Sequence, residues 1–220
     1  MHPVLRLYED VLSSAENVEF RLPPLPRFVF VVHGTATLDG KVIGAGQAWQ
    51  GEGSVTIKPG AEGVMCWRWE LVRGDQASTT ANAPGMMTHE KLSAYLETLP
   101  KGDLLMRGDS VAFPPGGCAY AHRHQGPGIR CLIEGGIRID THGRSTSYGP
   151  GGAWHESGVD TVFAQAAHDR PSRFIRVMVL PRALLGQSSI EYVNEEDRAK
   201  PKAQRYEIFA DAPISFGVKK

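Results

Sequence analysis

Cysteines, long apolar stretches and blocks of like charge are scarce in this sequence, and each shortage excludes a class of protein. The three cysteines, Cys66, Cys118 and Cys131, are an odd number without Cys-x-x-Cys spacing, so we expect reduced thiols rather than a disulfide framework. No stretch approaches the ~20 consecutive apolar residues of a membrane span. Glu9 and Asp10 stand where a signal peptide would need an apolar run. The sequence therefore predicts a soluble, cytoplasmic protein with no membrane partner.

The charges balance, with 24 lysines and arginines against 24 aspartates and glutamates, and they form no long run of either sign. Proteins that bind nucleic acid or anionic membrane surfaces usually carry a basic patch. We therefore expect no nucleic-acid partner. The partners that this composition favours are a small-molecule ligand and a second copy of the chain, in a homodimer.

The length of the chain and the distribution of its glycines and prolines indicate its fold class. A chain of 220 residues can bury a substantial core as one large or two small domains. Its 25 glycines and 15 prolines are spread between short apolar runs. Such a pattern is typical of many short strands joined by tight turns, as in a sandwich or barrel. We predict an all-β fold.

An internal repeat organises the chain. Residues 31–38 and 132–139 each read as a strand, a glycine turn and the start of a second strand. Each is followed by the pattern Gly-x-Gly-x-Ala-Trp, at 44–49 and again at 149–154. The second copy is a few residues longer, in the hairpin around 141–144, where changes of length are tolerated. The repeat predicts a duplicated domain.

The region between the two copies has a different pattern. Thr88 can cap a helix, Pro100 can stop it, and four apolar residues fall at helical spacing between them, namely Leu92, Tyr95, Leu96 and Leu99. We predict a short surface helix here, acting as a connector or lid. The tail after Pro181 is predicted to form an arm, whose strands favour packing across a partner copy.

The most informative stretch carries His122 and His124. If this segment is a strand, two histidines one residue apart point to the same face, because the side-chain period of a strand is two. Two imidazoles side by side in one interior can present a pair of neutral nitrogen ligands to a transition metal. The alternative is a pair of histidines that are hydrogen-bonded in a core without a metal.

With these residues the sequence resembles the cupin superfamily in its two-domain form, the bicupin. Gly116, His122, His124 and Gly135 match the first family motif in type and spacing, and the stretch 149–160 resembles the second. The resemblance implies two tandem jelly-roll barrels with the short helical connector between them. The implied boundaries are 1–75 for a first barrel, 76–103 for the connector, 104–185 for a second barrel with the histidines, and 186–220 for a C-terminal arm.

The chain departs from the family pattern at several metal-ligand positions. The usual glutamate position falls on Gly128 or Ile129, and the third histidine position falls near Thr161 or Val162. In the first half, residues 21–26 replace the histidine pair and contain no histidine, so that barrel is expected to be metal-free. The ligand set must therefore be completed from elsewhere in the second half.

His155 and Glu156 are the replacement candidates, and only one of them can face the interior because they are adjacent on a strand. We favour Glu156, since a carboxylate supplies the charge that two neutral imidazoles lack. The predicted metal is a single Fe, Mn, Ni, Zn or Cu ion, and the alternative is no metal. Strand parity, continued through the turn after His124, predicts that Arg130 points outward.

Four residues are predicted to line the substrate pocket, namely Gln125, Ile129, Cys131 and Trp154. Cys131 has two interpretations, a soft metal ligand or a small core residue. Gln125 could orient His124 or simply begin a turn, and Trp154 could be part of the core. The resemblance implies a metal-dependent small-molecule enzyme of dioxygenase, isomerase or lyase type. The rival hypotheses are a metal-free small-molecule binder and a structural dimer module.

Overall fold

The computed structural model describes residues 2–15 and 17–216, and nearly all of their regular structure is antiparallel β-sheet. The predicted all-β fold is confirmed. The chain divides into two compact units, Met1–Tyr95 with Ile214–Lys220, and Leu96–Pro213. Among the helices of the described residues, none has the length and apolar character needed to span a membrane.

The first unit is built around one large sheet. In chain order its strands are β1 Pro3–Leu12, β2 Phe20–Leu22, β3 Arg27–Leu38, β4 Lys41–Gly44, β5 Ala48–Gly51, β6 Val55–Arg73, β7 Asn82–Ala83 and β8 Met86–Tyr95. The order across the sheet is β4-β3-β6-β1-β8-β7, with β2 paired to β6 and β5 paired to β3. The long β6 is the central strand of this unit, because it pairs with β1, β2 and β3.

The second unit consists of two five-stranded sheets. Its strands are β9 Leu104–Phe113, β10 Cys118–His124, β11 Gly128–Glu134, β12 Ile137–Thr141, β13 Arg144–Tyr148, β14 Ala153–Glu156, β15 Val162–Ala166, β16 Ser172–Pro181, β17 Ile190–Tyr192 and β18 Arg205–Ile214. A 3-10 turn (Arg182–Leu184) and one short helix, α1 (Glu195–Ala199), complete it. The orders are β13-β12-β15-β10-β17 and β14-β11-β16-β9-β18.

The core of the second unit joins the inner faces of its two sheets. Buried apolar side chains from β10, β12 and β15 of one sheet pack against those from β9, β11, β14 and β16 of the other. Val162 and Ala164 on β15 belong to the same cluster as Leu132 and Trp154. Such facing sheets are the layer arrangement of a jelly roll. The arrangement leaves inward positions at one end of the core for polar side chains.

The two copies of the internal repeat make matching backbone hydrogen bonds. In the first unit, Val31 N–H donates to the Gln47 carbonyl, and Gly46 N–H donates to the Val31 carbonyl. In the second unit, Leu132 N–H donates to the Gly152 carbonyl, and Gly151 N–H donates to the Leu132 carbonyl. Since Leu132 is the repeat equivalent of Val31, the two units close the same turn in the same way.

The helix predicted near 88–100 is wrong, because residues 86–95 form strand β8 along the edge of β1. Thr88 does not cap a helix; its hydroxyl donates to Asp10 Oδ1 at 2.7 Å in the buried interior. Tyr95, predicted on an apolar helix face, is 66% exposed. Pairing with β1 supplies the backbone hydrogen bonds of this segment, and such tertiary pairing overrides local periodicity.

Candidate metal site in the second unit

The two histidines lie side by side on β10, as the strand period predicted. His122 and His124 are both buried, whereas Arg123 between them is exposed. Their ring centroids are 4.9 Å apart and the ring planes cross at 78°. β10 is held between β15 and β17, so both neighbouring strands fix the direction of the imidazoles.

Each imidazole has a partner at Nδ1 that orients the ring. His122 Nδ1 lies 2.7 Å from the Tyr120 carbonyl oxygen, and His124 Nδ1 lies 3.4 Å from Ser189 Oγ. Because a carbonyl oxygen can only accept, the proton of His122 is on Nδ1 and its Nε2 lone pair is free. This is the ring arrangement that metal-binding histidines use.

Burial keeps both histidines neutral. Desolvation lowers the pKa of His122, although the nearby Glu156 carboxylate opposes this effect. The pKa of His124 lies well below its ordinary value, first because of burial and then because the Arg176 and Arg130 guanidiniums repel a third positive charge. A neutral imidazole is the form that binds a metal, so neither ring needs to lose a proton first.

The structure brings Glu156, and not His155, to the histidine pair. One ligand atom from each of His122, His124 and Glu156 lies within 4.8 Å of the others. Glu156 Oε2 is 3.7 Å from His124 Nε2, and Glu156 Oε1 accepts a hydrogen bond of 2.9 Å from Trp154 Nε1. His155 is the register partner of Ile129 and therefore projects from the opposite face of β14.

Arg130 faces this site, and the prediction that it points outward is wrong. Its guanidinium is buried, with Nη2 2.7 Å from Glu156 Oε2 and Nη1 donating to the Gly128 carbonyl at 2.8 Å. Burial lowers the pKa of Arg130 to about 10 against the effect of Glu156. Burial also opposes the charge on Glu156, but Arg130 and its other cationic neighbours hold the Glu156 pKa below its ordinary value. The site therefore contains an ionised Arg–Glu pair.

The four residues that were predicted to line the substrate pocket do not lie together in the structure. Trp154 lines the cavity at the histidines. Ile129 and Cys131 are fully buried but lie on the other face of β11 from Arg130, and neither lines that cavity. The Cys131 thiol instead contacts the Gly151 carbonyl at 3.6 Å. Gln125 is exposed and lines a different surface cavity, which Arg123 and His124 also line.

Two adjoining cavities open at the site. A space of about 20 Å³ is enclosed among the histidines, Arg130 and Glu156, enough for one water molecule or ion. A second cavity of about 180 Å³ is lined by Arg107, Ser189 and Tyr206 among others. The two share four lining residues, namely His124, Arg176, Ile190 and Tyr206. A small ligand in the larger cavity would therefore adjoin the space between the imidazoles.

The fold has counterparts among solved structures, whereas no family model and no curated protein matches the sequence. Lactobacillus farciminis oxalate decarboxylase, in its formate complex, superposes with a TM-score of 0.58 at 12% identity, over 91% of this chain and 82% of that one. AerE from Microcystis aeruginosa superposes with a TM-score of 0.55 at 11% identity, over 82% and 88%. A Bacillus subtilis oxalate decarboxylase mutant gives 0.56 at 12%, over 89% and 73%. The chain has the cupin fold.

The first unit differs from the second at two of the three donor positions. β2 pairs with β6 as β10 pairs with β15, and Leu22 pairs with Val55 as His122 pairs with the equivalent Val162. Leu22 therefore stands at the position of His122, and it is a buried apolar side chain. By the same comparison Gly51 stands at the position of Glu156. An apolar side chain and a glycine thus replace two of the donors, and the expectation that the first unit is metal-free stays a prediction.

Sequence reasoning missed a second buried ion pair beside the histidines. Arg176 on β16 donates to both oxygens of Asp109 on β9, at 2.9 and 2.6 Å. Burial disfavours the charge on Arg176, but Asp109 raises the Arg176 pKa above its ordinary value. Both residues lie in mostly apolar strands, but only the register of β9 against β16 shows that they are partners.

Proposed function

We propose that the second unit binds one divalent transition metal through His122, His124 and Glu156, and that the protein is a metal-dependent enzyme acting on a small molecule. The observation that carries this proposal is the convergence of two neutral imidazoles and one carboxylate, with ligand atoms within 4.8 Å of one another. Two histidines and one carboxylate suit Fe, Mn, Ni, Zn and Cu, and they leave coordination positions open.

The residues around the donors support the same role. Tyr120 fixes His122 with Nε2 directed away from its backbone partner, and Trp154 holds one oxygen of Glu156 in place. Partners of this kind orient metal ligands in known sites. A bound ion would act there as a Lewis acid or bind dioxygen. The burial of all three donors excludes bulk water from the reacting atoms.

The cavities favour a small substrate. The space of about 180 Å³ beside His124 would admit a ligand of a few heavy atoms and exclude large ones. Dioxygenation, isomerisation, decarboxylation and lysis are all consistent with a single open metal site on a cupin scaffold. The oxalate decarboxylases with this fold do not decide among these reactions, because a shared fold does not fix chemistry.

Metal stoichiometry tests the proposal. The protein is purified without added metal and then titrated with Mn²⁺ and Zn²⁺, and the bound metal is measured by mass spectrometry. We expect one ion per chain, lost in His122→Ala and in Glu156→Gln. The control is His142→Ala, an exposed histidine outside the site, which should bind the full amount. Equal and weak binding by all four proteins would refute the proposal.

A second candidate function is a metal-free cupin that binds a small molecule without converting it. One observation favours it: both oxygens of Glu156 already have protein partners, Trp154 and Arg130. This function predicts that a ligand binds the larger cavity equally well in the presence of a chelator. It also predicts that added metal does not raise the thermal stability of the protein.

A further inference from the structure

A single oxygen of Glu156 faces both the arginine and the histidines. Oε2 lies 2.7 Å from Arg130 Nη2 and 3.7 Å from His124 Nε2, whereas Oε1 is held by Trp154. The Arg130–Oε2 contact lacks the angles of a hydrogen bond, so Nη2 is a buried donor without an aligned acceptor. An ion held by the two imidazoles and Oε2 would share that oxygen atom with the Arg130 guanidinium.

The buried charges around this oxygen balance only without the ion. Arg130 and Arg176 are opposed by Glu156 and Asp109, and all four side chains are buried. Asp109 is a poor counter-ion for a second cation, because both of its oxygens already accept hydrogen bonds from Arg176. A divalent ion would leave two positive charges uncompensated, and net buried charge is costly. The site with a metal therefore requires an anion.

Space and donor geometry indicate what kind of anion fits. Arg176 lines both cavities, and the larger one, of about 180 Å³, adjoins the enclosed space at Arg130. A guanidinium is a planar fork of donors that matches the two oxygens of a carboxylate. In Arg130, Nη1 donates to the Gly128 carbonyl, whereas Nη2 has no aligned acceptor and could donate to a ligand. A small carboxylate matches the planarity and the volume, and its charge offsets one of the two uncompensated positive charges.

We propose that a divalent metal and a small carboxylate anion bind the second unit cooperatively, because the ion takes Glu156 Oε2 from Arg130 and the carboxylate replaces Glu156 as the counter-ion of that arginine. This inference rests on the metal site of the proposed function and assigns its substrate class. Cooperative binding is reciprocal, so the carboxylate tightens metal binding by the same factor by which the metal tightens carboxylate binding.

The first experiment needs no variant. Free Mn²⁺ is measured by EPR at equilibrium with the protein, in formate and in its uncharged analogue formamide, at equal ionic strength set with perchlorate. We expect formate to tighten Mn²⁺ binding about tenfold, within the usual range of coupling between two sites, and formamide to have no effect. Equal effects of the two, or none, would overturn the inference. Chloride and phosphate arms reveal whether any anion suffices, which would overturn the assignment to carboxylates.

Substitution of Arg130 separates the protein's contribution from simple coordination of formate by the ion. Arg130→Met should bind Mn²⁺ more tightly than the wild type without formate, and should lose most of the enhancement by formate. Arg123→Met is the matched control, since Arg123 lies between the two histidines but is exposed. It should behave as the wild type. Full enhancement in Arg130→Met would overturn the inference.

Failure of this inference is distinguishable from failure of the proposed function. If the wild type binds no Mn²⁺ in either solution, the metal site itself is refuted. If it binds one ion per chain without regard to formate, the metal site stands and the carboxylate coupling is refuted. If circular dichroism shows that Arg130→Met does not fold, Arg130→Lys retains the charge without the planar fork. That variant should retain only part of the enhancement, and full enhancement would count against the inference.

Discussion

Arg68 in the first unit and Arg176 in the second occupy corresponding positions in their sheets. Arg68 is the register partner of Val29, and Arg176 is the register partner of Arg130. Val29 and Arg130 are repeat equivalents, two residues before Val31 and Leu132 respectively. Both units therefore place a buried arginine at the same point of the fold.

The two units neutralise this arginine in related but different ways. Arg68 pairs with Asp10, at 2.6 and 3.1 Å, and also with Glu70 at 2.7 Å, which in turn binds Arg27 at 2.6 Å. The guanidinium of Arg68 also lies 5.2 Å from the ring centroid of Phe20 on β2, the strand that corresponds to β10. The first unit thus has an ionic network enclosed by apolar residues, whereas the second leaves two imidazoles and a carboxylate facing a cavity.

Removing the charge of Asp109 should be strongly destabilising. Asp109→Asn leaves the buried Arg176 guanidinium without its counter-ion, which should cost about 3–5 kcal/mol of unfolding free energy. Urea denaturation measures this loss. Asp140→Asn is the control, because Asp140 forms a pair with Arg138 that is partly exposed, and such pairs contribute about 0–1 kcal/mol. Similar losses for both variants would contradict the description of Arg176 as a buried ion.

Gly135 should not tolerate a side chain. Its φ is +83°, and a Cβ would overlap the carbonyl oxygen of Pro171 on the neighbouring segment. Gly135→Ala combines a left-handed backbone, worth about 1–2 kcal/mol of strain, with a steric clash. Gly143→Ala has a similar φ of +70° with open space at its Cβ position, so it should show the backbone cost alone. Thermal denaturation of the pair separates the two effects, and equal losses would argue against the close approach.

Trp154 should influence metal affinity through Glu156. Trp154→Phe retains an aromatic ring in the core but removes the N–H that donates to Glu156 Oε1. Loss of such an orienting partner typically costs about 10–100-fold in metal affinity. The metal dissociation constant, measured by competition with a chelator, tests this expectation. Trp49→Phe, at the repeat equivalent in the first unit, should leave the constant unchanged; a matching rise there would indicate a general loss of stability instead.

Cys66 should stay unreactive up to high pH. It is fully buried, and desolvation raises the pKa of its thiol well above the ordinary value, with Asp10 adding to the effect. Because the thiolate is the nucleophile, alkylation of Cys66 in the folded protein should not accelerate as the pH rises from 7 to 9. Mass spectrometry of peptides after iodoacetamide treatment measures this, with the half-buried Cys118 as the internal comparison. Modification of Cys66 at a rate near that of Cys118 would contradict the burial.

The sequence was sufficient for the features that depend on local periodicity. The spacing of His122 and His124 requires a shared face on any strand, and β10 has them so. The charge argument that preferred Glu156 over His155 agrees with the group found at the histidines. The repeat was readable because glycine turns and the Ala-Trp pattern are short-range signals.

The features that the sequence did not reveal depend on long-range pairing. The apolar residues of this region fall at helical spacing, yet residues 86–95 form a strand that pairs with the edge of β1. The face of Arg130 was misassigned because the alternation of side chains along β10 does not continue in register through the turn between His124 and Gly128. Its true face follows from its pairing with Trp154 and Arg176, which no local pattern specifies.

Anomalous diffraction can show whether His122, His124 and Glu156 together hold one metal ion. Crystals of the Mn²⁺-loaded protein are measured for anomalous scattering of manganese. We expect a single strong peak about 2.0–2.3 Å from Nε2 of both histidines and from a Glu156 oxygen. A crystal without a peak there, or with its main peak at the exposed His142–Asp160 pair, would refute the three-ligand metal site.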